Sequence, residues 1–304
     1  MTTTPVRILV AGLYVLLSAQ PAEAAQKRVL LELYTGAWCG WCPDGEVRLL
    51  EAMAAFPGSV VPVSIHDGDP MALGTPLGNE YANGYPAGIF DRTTDPLRTT
   101  WLAEIASHLA EPPRVELVLQ RQYSAETRVL NVTLSAELLE ATSAPMLLHV
   151  FLTEDHVVGS GSDYNQVNYC ENLGANHPYF GAGNPIVGFS HRYVLRAILV
   201  GETGGEVAAG LSAGQVVEET YSYQLPPEWN PEQMAVVAFL AVDDPDPFSR
   251  EVWNAVQAPL IAPPSSGGCG HRVDAGGGFA TLVLLALAAL AMSSRARSFF
   301  SGPV

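Results

Sequence analysis

Apolar and polar positions along the first third of the chain switch between two periods. "RVLLELY" (28–34) is a nearly continuous apolar run, as expected of a central strand buried on both faces. "PDGEVRLLEAMAAF" (43–56) places Val47, Leu50, Met53 and Ala54 at helical spacing, and Pro43 is tolerated in a first helical turn. "SVVPVSI" (59–65) and "YPAGIF" (85–90) read as further strands, and "TDPLRTTWLAEIASHLA" (94–110) as an amphipathic helix that closes the unit before "EPPR". The pattern predicts a modest α/β domain over residues 27–111.

From residue 114 the pattern changes. "RVELVLQRQY", "TRVLNVTLSAEL", "PMLLHVFLTE", "HRYVLRAILV", "GQVVEETYSYQL", "MAVVAFLAVD" and "REVWNAVQ" are strand-like, several of them alternating, and turn residues separate them. About seven such strands predict an all-β antiparallel sandwich domain over residues 114–258. The break between the two patterns falls at residues 111–113. Residues 159–189, rich in Gly, Asn and Tyr, interrupt the strands as a structured loop.

Both ends read as targeting segments. Arg7, an apolar run over residues 8–17 and Ala22-x-Ala24 have the order of a secretory signal peptide, residues 1–24, too short for a spanning helix. A Pro/Gly/Ser linker occupies 259–278, and 279–304 is an apolar run followed by "SSRARSFF", which reads as a membrane anchor with its arginines on the cytoplasmic side. The Gly-Gly-Cys-Gly layout with spacer, hydrophobic helix and basic end resembles the MYXO-CTERM class of bacterial sorting tails. That resemblance implies processing and lipidation at Cys269. The expected destination is the bacterial cell envelope, periplasm or outer membrane and surface, with the membrane engaged through the tail or its lipid. A net charge of −16 argues against nucleic acid as a partner, since phosphate affinity needs clustered Lys and Arg. Four cysteines in 304 residues exclude a disulfide scaffold.

Two of those cysteines form the CGWC stretch of "YTGAWCGWCPDG", and a single CxxC is compatible with a redox centre, a metal clip or a structural disulfide. Cys39 is expected where a buried strand turns into a helix. Unpaired amides and the helix dipole there favour a thiolate, which makes it the attacking sulfur. Cys42, a turn further in, is expected to resolve a mixed disulfide from a recessed position. Trp38, Trp41 and Tyr85 flank the motif and Pro86, and His66 follows the second strand toward the same end of the sheet.

The motif, its spacing and the order of elements resemble thioredoxin-like proteins. The chain further resembles the outer membrane protein 28-related family of bacterial exported proteins. The resemblance rests on "LLELYTGAWCGWCPDG", "SIHDGDP" and "GYPAGIFDR", then on "LLHVFLTEDHVVG", "HRYVLRAIL" and "VVAFLAVDD" with "EVWNA". It spans residues 28–258 and implies a thioredoxin-like domain followed by an immunoglobulin-like sandwich, with no cofactor. It implies a cis Tyr85–Pro86 bond that holds a substrate chain beside Cys39 and blocks metal access. The chain departs from the thioredoxin pattern in two places. Leu33 stands where a buried acid is usual, with Glu32 on the opposite strand face as a satisfied polar residue near the sheet edge. The uncharged Gly40-Trp41 pair argues against a strongly oxidising centre.

Other residues carry weaker readings. A Cys39/Cys42/His66 copper or zinc site competes with a plain turn for His66, Asp67 and Asp69. Cys170 is read as buried and inert, with pairing to Cys269 or to the CxxC as alternatives. His149 and His191 are read as packing residues. Asp243, Asp244 and Asp246 form a solvated turn rather than a calcium loop. Tyr221, Tyr223, Trp229 and Trp253 belong to the sandwich core or to a partner surface. Two hypotheses follow. One is a tethered thiol–disulfide oxidoreductase acting on exported protein thiols or disulfides, with catalytic Cys39, Cys42 and Pro86. The other is a non-catalytic binding lipoprotein that uses the same fold as a scaffold.

Overall fold

The computed structural model describes residues 25–78, 80–200 and 204–261; the signal segment, the tail and the linker beyond residue 261, with Cys269, lie outside them, while the expected linker's first residue, Pro259, ends a strand. Strand β1 (Val29–Thr35) pairs in parallel with β2 (Val60–His66) and antiparallel with β3 (Ala87–Phe90). Helix α1 (Cys42–Ala55) connects β1 to β2, and α2 (Trp101–Leu109) follows β3. Every residue of β1 and β2 is buried, and alternation explains how. Leu31 and Leu33 face Leu49 and Ala52 of α1 and Trp101 and Ile105 of α2, while Leu30 and Tyr34 face the opposite layer.

That opposite layer is built from the second half of the chain. Its strands are β4 (Val115–Tyr123), β5 (Val129–Leu138), β6 (Met146–Glu154), β7 (Val194–Ile198), β8 (Gly205–Val207), β9 (Val216–Gln224), β10 (Met234–Val242) and β11 (Val252–Pro259). β4, β5 and β9 form a three-stranded antiparallel sheet. The other five join the first sheet, giving eight strands in the order β11-β10-β6-β7-β2-β1-β3, with β8 beside one end of β6. The join is the parallel contact of β7 with β2 at Ser64 and Val194, secured by the Ser64 amide donating to the Tyr193 carbonyl at 2.8 Å.

The strands expected over 114–258 pack as two antiparallel sheets, β4-β5-β9 against β11-β10-β6-β7 with β8, and the second of these sheets runs on through β7 into β2. β6 is buried at all nine positions and β10 at all but its last, because each strand has a layer on both sides. Leu148, Val150, Leu152, Val236, Ala238 and Leu240 face the β4-β5-β9 sheet. Phe151, Val237, Phe239 and Ala241 face the first unit. The molecule is mostly β-sheet with few helices, and the change of pattern at 111–113 marks a change of layer within one continuous sheet.

A polar seam runs through this second layer. Glu32 accepts two hydrogen bonds from Arg92, at 3.0 Å from Nε and 2.8 Å from Nη2, and both side chains are buried. β1 lies directly beside the edge strand β3, and Glu32 is satisfied there as the counter-ion of a buried arginine. His149 stacks on Phe239 at 4.5 Å between ring centres with Arg92 3.4 Å from its Nε2; burial and then the Arg92 charge hold the imidazole well below its usual range. Asn254 of β11 donates to the Gln26 and Val115 carbonyls, both at 3.0 Å, tying the segment before β1 to the start of β4.

Candidate functional site: a covered disulfide

The chain leaves β1 at Thr35 and turns sharply, with the Cys39 amide donating to the Gly36 carbonyl at 3.0 Å and the Cys42 amide to the Cys39 carbonyl at 3.2 Å. Cys42 is the first residue of α1, Pro43 follows where no amide is required, and Asp44 supplies first-turn negative charge. Cys39 and Cys42 form a disulfide with 5.3 Å between their Cα atoms.

Neither sulfur-bearing residue is exposed: Cys39 is 5% and Cys42 2% accessible. The sequence pattern left Cys39 open to solvent, and the difference comes from the 159–189 segment, which folds back over the motif. The Val167 amide donates to the Ala37 carbonyl at 2.7 Å, and the Tyr169 amide to the Gly40 carbonyl at 2.8 Å. The Gln166 side-chain amide donates to the Cys39 carbonyl at 2.8 Å and also reaches the Ala37 and Gly36 carbonyls. The Tyr169 ring lies flat on Gly40, where a Cβ would stand 2.3 Å from a ring carbon. Only glycine permits that approach. Trp41 meets the same ring edge-on at 5.9 Å.

The covering segment also engages α1. The Tyr179 hydroxyl donates to Glu46 Oε1 at 2.9 Å, and His177 Nε2 approaches Asp44 Oδ1 to 3.4 Å without hydrogen-bond alignment. Glu46 sits in the second turn of α1, and burial pushes its carboxyl up to about 7 against the pull of the Tyr179 hydroxyl and Arg192. Cys170 is a free, fully buried thiol. Burial and then the Asp44 carboxylate push it up to about 11, only partly offset by the Asp44 amide that bonds to it, so the thiol stays protonated and unreactive at neutral pH.

The other expected residues gather at the same end of the sheet. The Tyr85–Pro86 peptide is cis, and Pro86 lies on α1 at Gly45, where an added Cβ would come within 2.7 Å of the Pro86 Cβ. Trp38 is 48% exposed, donates its Nε1 to the Asp67 carbonyl at 2.7 Å and meets Tyr85 edge-on at 5.1 Å. His66 is taken up by Asp69, with Nδ1 2.7 Å from Oδ2, and its ring meets His191 edge-on. Asp69 also accepts the amides of Ala37 and Met71, both at 2.8 Å. Burial opposes its charge, yet the His66 bond and these amides hold the carboxyl below its usual range. His66 thus supports the CxxC loop through Asp69. Two grooves flank the covered disulfide. One, of about 870 Å³, lies between α1 and Tyr85–Ala87; the other, of about 680 Å³, lies beside Trp38, Asp67 and Asp163.

Residues distant from the motif remain in the fold. His149 lies in the polar seam, and His191 Nε2 donates to the Tyr164 carbonyl at 2.9 Å. Asp246 caps a short 3-10 turn by accepting the Phe248 amide, and Asp244 accepts the Asp246 amide. Tyr223 stacks on Trp229 at 6.0 Å, and Trp253 is buried beneath the Arg114 guanidinium. Gln166, Tyr169, Tyr179 and Glu46 had no sequence signal of function. The one hint was Gly40 between two aromatic-flanked cysteines, together with a loop too long and too aromatic to be a plain connection.

The chain belongs to the Outer membrane protein Omp28 family, which matches residues 79–260. Membership implies a place in the cell envelope. No curated protein matches the sequence. Among solved structures, HBP35 of Porphyromonas gingivalis is similar with a TM-score of 0.62 at 16% identity, covering 83% of this chain and 82% of its own. A protein from Agrobacterium tumefaciens is similar with a TM-score of 0.51 at 13% identity, covering 83% of this chain and 100% of its own. At such identities the likeness concerns the fold alone. A domain of the outer membrane lipoprotein Omp28 from Porphyromonas gingivalis aligns over 49% of this chain and 88% of its own at 16% identity, with a TM-score of 0.30 that supports no comparison of folds.

Proposed function

We propose that the protein is an envelope-tethered, thioredoxin-like thiol–disulfide exchange protein acting on exported protein thiols or disulfides. The reading rests on the Cys39–Cys42 disulfide at the start of α1, directly after the parallel strand β1. In the reductive direction the Cys39 thiolate attacks a substrate disulfide, forming a mixed disulfide and releasing one substrate thiolate. The Cys42 thiolate then attacks the Cys39 sulfur, releases the second substrate thiolate and restores the internal disulfide. Two electrons pass to the substrate, and oxidation runs the same steps backward. The helix amides favour the Cys39 thiolate, and Pro86 forms the wall against which the substrate docks. The sorting-type tail, with Cys269 as its lipidation or processing point, supplies the tether.

The burial of both cysteines favours a second reading, a binding lipoprotein whose disulfide is structural. A redox equilibrium of the purified protein against a glutathione series, read by alkylation and mass spectrometry, separates the two. Exchange requires reversible titration with one reactive thiol at Cys39, no turnover in Cys39→Ser and trapped mixed disulfides in Cys42→Ser. A disulfide that resists reduction in the folded protein, with both serine variants losing stability alone, supports the scaffold instead.

A further inference from the structure

The segment over the disulfide is a small substructure in its own right. The Gln166 and Ile186 backbones exchange two hydrogen bonds, at 3.1 and 2.8 Å. The Asn168 side-chain amide donates to the Tyr179 and Gly183 carbonyls, and its backbone amide to Asn184 Oδ1, all at 3.0 Å. These bonds hold residues 166–186 together independently of what lies beneath. Glycines with positive φ stand at its feet, Gly161 before and Gly188 after. Among the described residues no disulfide fastens it, and Cys170 is free.

Its attachment to the CxxC loop is of a different kind. Val167 and Tyr169 are alternate residues, and both amides point to the loop, finding the carbonyls of Ala37 and Gly40. An incoming chain would make the same contacts: an extended backbone offering alternate N–H groups to exposed carbonyls. The Tyr169 ring on Gly40 and the Gln166 amide on the Cys39 carbonyl complete the imitation. Tyr179 on Glu46, the Asp44 amide at Cys170 and the edge of Trp41 on Tyr169 add further latches.

We infer that residues 166–179 are a hinged cover occupying the position of a substrate polypeptide, and that the Cys39–Cys42 disulfide becomes reactive when this cover lifts as a unit from an otherwise folded protein. The consequence for exchange rests on the proposed function; the cover itself does not. The partner that replaces it is an extended, cysteine-bearing segment with a large flat side chain to set on Gly40.

Cys170 reports the opening, because it travels with the cover. In the full-length oxidised protein, the rate of Cys39–Cys42 reduction by excess dithiothreitol and the rate of Cys170 labelling by iodoacetamide are measured for the native chain, Gln166→Ala and Tyr179→Phe. Both rates rise together in each variant, roughly five- to tenfold for one lost hydrogen bond, with an unchanged far-UV spectrum. Rates that stay at the native value, or Cys170 labelling that begins only where the spectrum collapses in denaturant, overturn the cover. Hydrogen exchange on the native chain gives a result free of mutational damage: the Val167 and Tyr169 amides exchange well before those of β6 and β10, whereas exchange only with the core overturns the inference. Fast reduction of the variants without turnover of a protein disulfide defeats the exchange function and leaves the cover standing. Native turnover of a protein disulfide at a rate indifferent to both variants does the reverse.

Discussion

Glu46 is an acid in a place that water does not reach, faced by the Tyr179 hydroxyl, Arg192, Asp155 and Tyr193. Its carboxyl is raised to about 7 from 4.5. Between those values the folded chain keeps a proton that the unfolded chain gives up, so stability is fully present below the lower value and is lost as pH rises through the upper one. The linkage is on the order of 3 kcal/mol. Glu46→Gln is therefore expected to flatten the fall in thermal midpoint between pH 5 and pH 7.5 relative to the native chain, measured by circular dichroism. An equal slope in both proteins would show that Glu46 is solvated. At this scale the sequence was legible for the two cysteines, since local spacing and a following helix suffice to place them. It was silent about their surroundings, because Gln166 and Tyr169 reach the motif from more than 120 residues away and no local pattern encodes that meeting.

Elements were more legible than their neighbours. The strand-like runs correspond to β1 to β7 and β9 to β11, since a strand is a local matter of alternation and apolar content. Which strands pair is not local. The informative sign was the absence of alternation in "LLHVFL" and "AVVAFLAV", runs that a two-layer sandwich cannot bury and a three-layer arrangement can. Phe239 tests the third layer. It faces Tyr34 and Phe151 rather than the β4-β5-β9 sheet, and Phe239→Ala is expected to cost about 3–5 kcal/mol in a denaturant titration. A loss below about 1 kcal/mol would mean that the two layers touch without packing.

For the whole molecule, the shared sheet implies one unfolding event. β7 on β2, the contact of Arg92 with His149 and the Asn254 bond to Gln26 cross from one half to the other, so neither half buries its apolar faces alone. Calorimetry is expected to show a single transition with equal calorimetric and van't Hoff enthalpies. Two resolved transitions would restore the separate domains that the break in pattern at 111–113 suggested.

β11 is the last described strand, and it lies antiparallel along β10 from Val252 to Pro259. A load applied beyond residue 261 enters the fold at Pro259 and runs along that strand. Such a load shears the β10–β11 ladder, stressing its hydrogen bonds together rather than parting them one at a time. Asn254 sits on the same strand and grips Gln26, so the chain's two described ends share the strain. Under the proposed tethering, such a pull would be felt in β11, at the edge of the sheet opposite β3, with the disulfide spared.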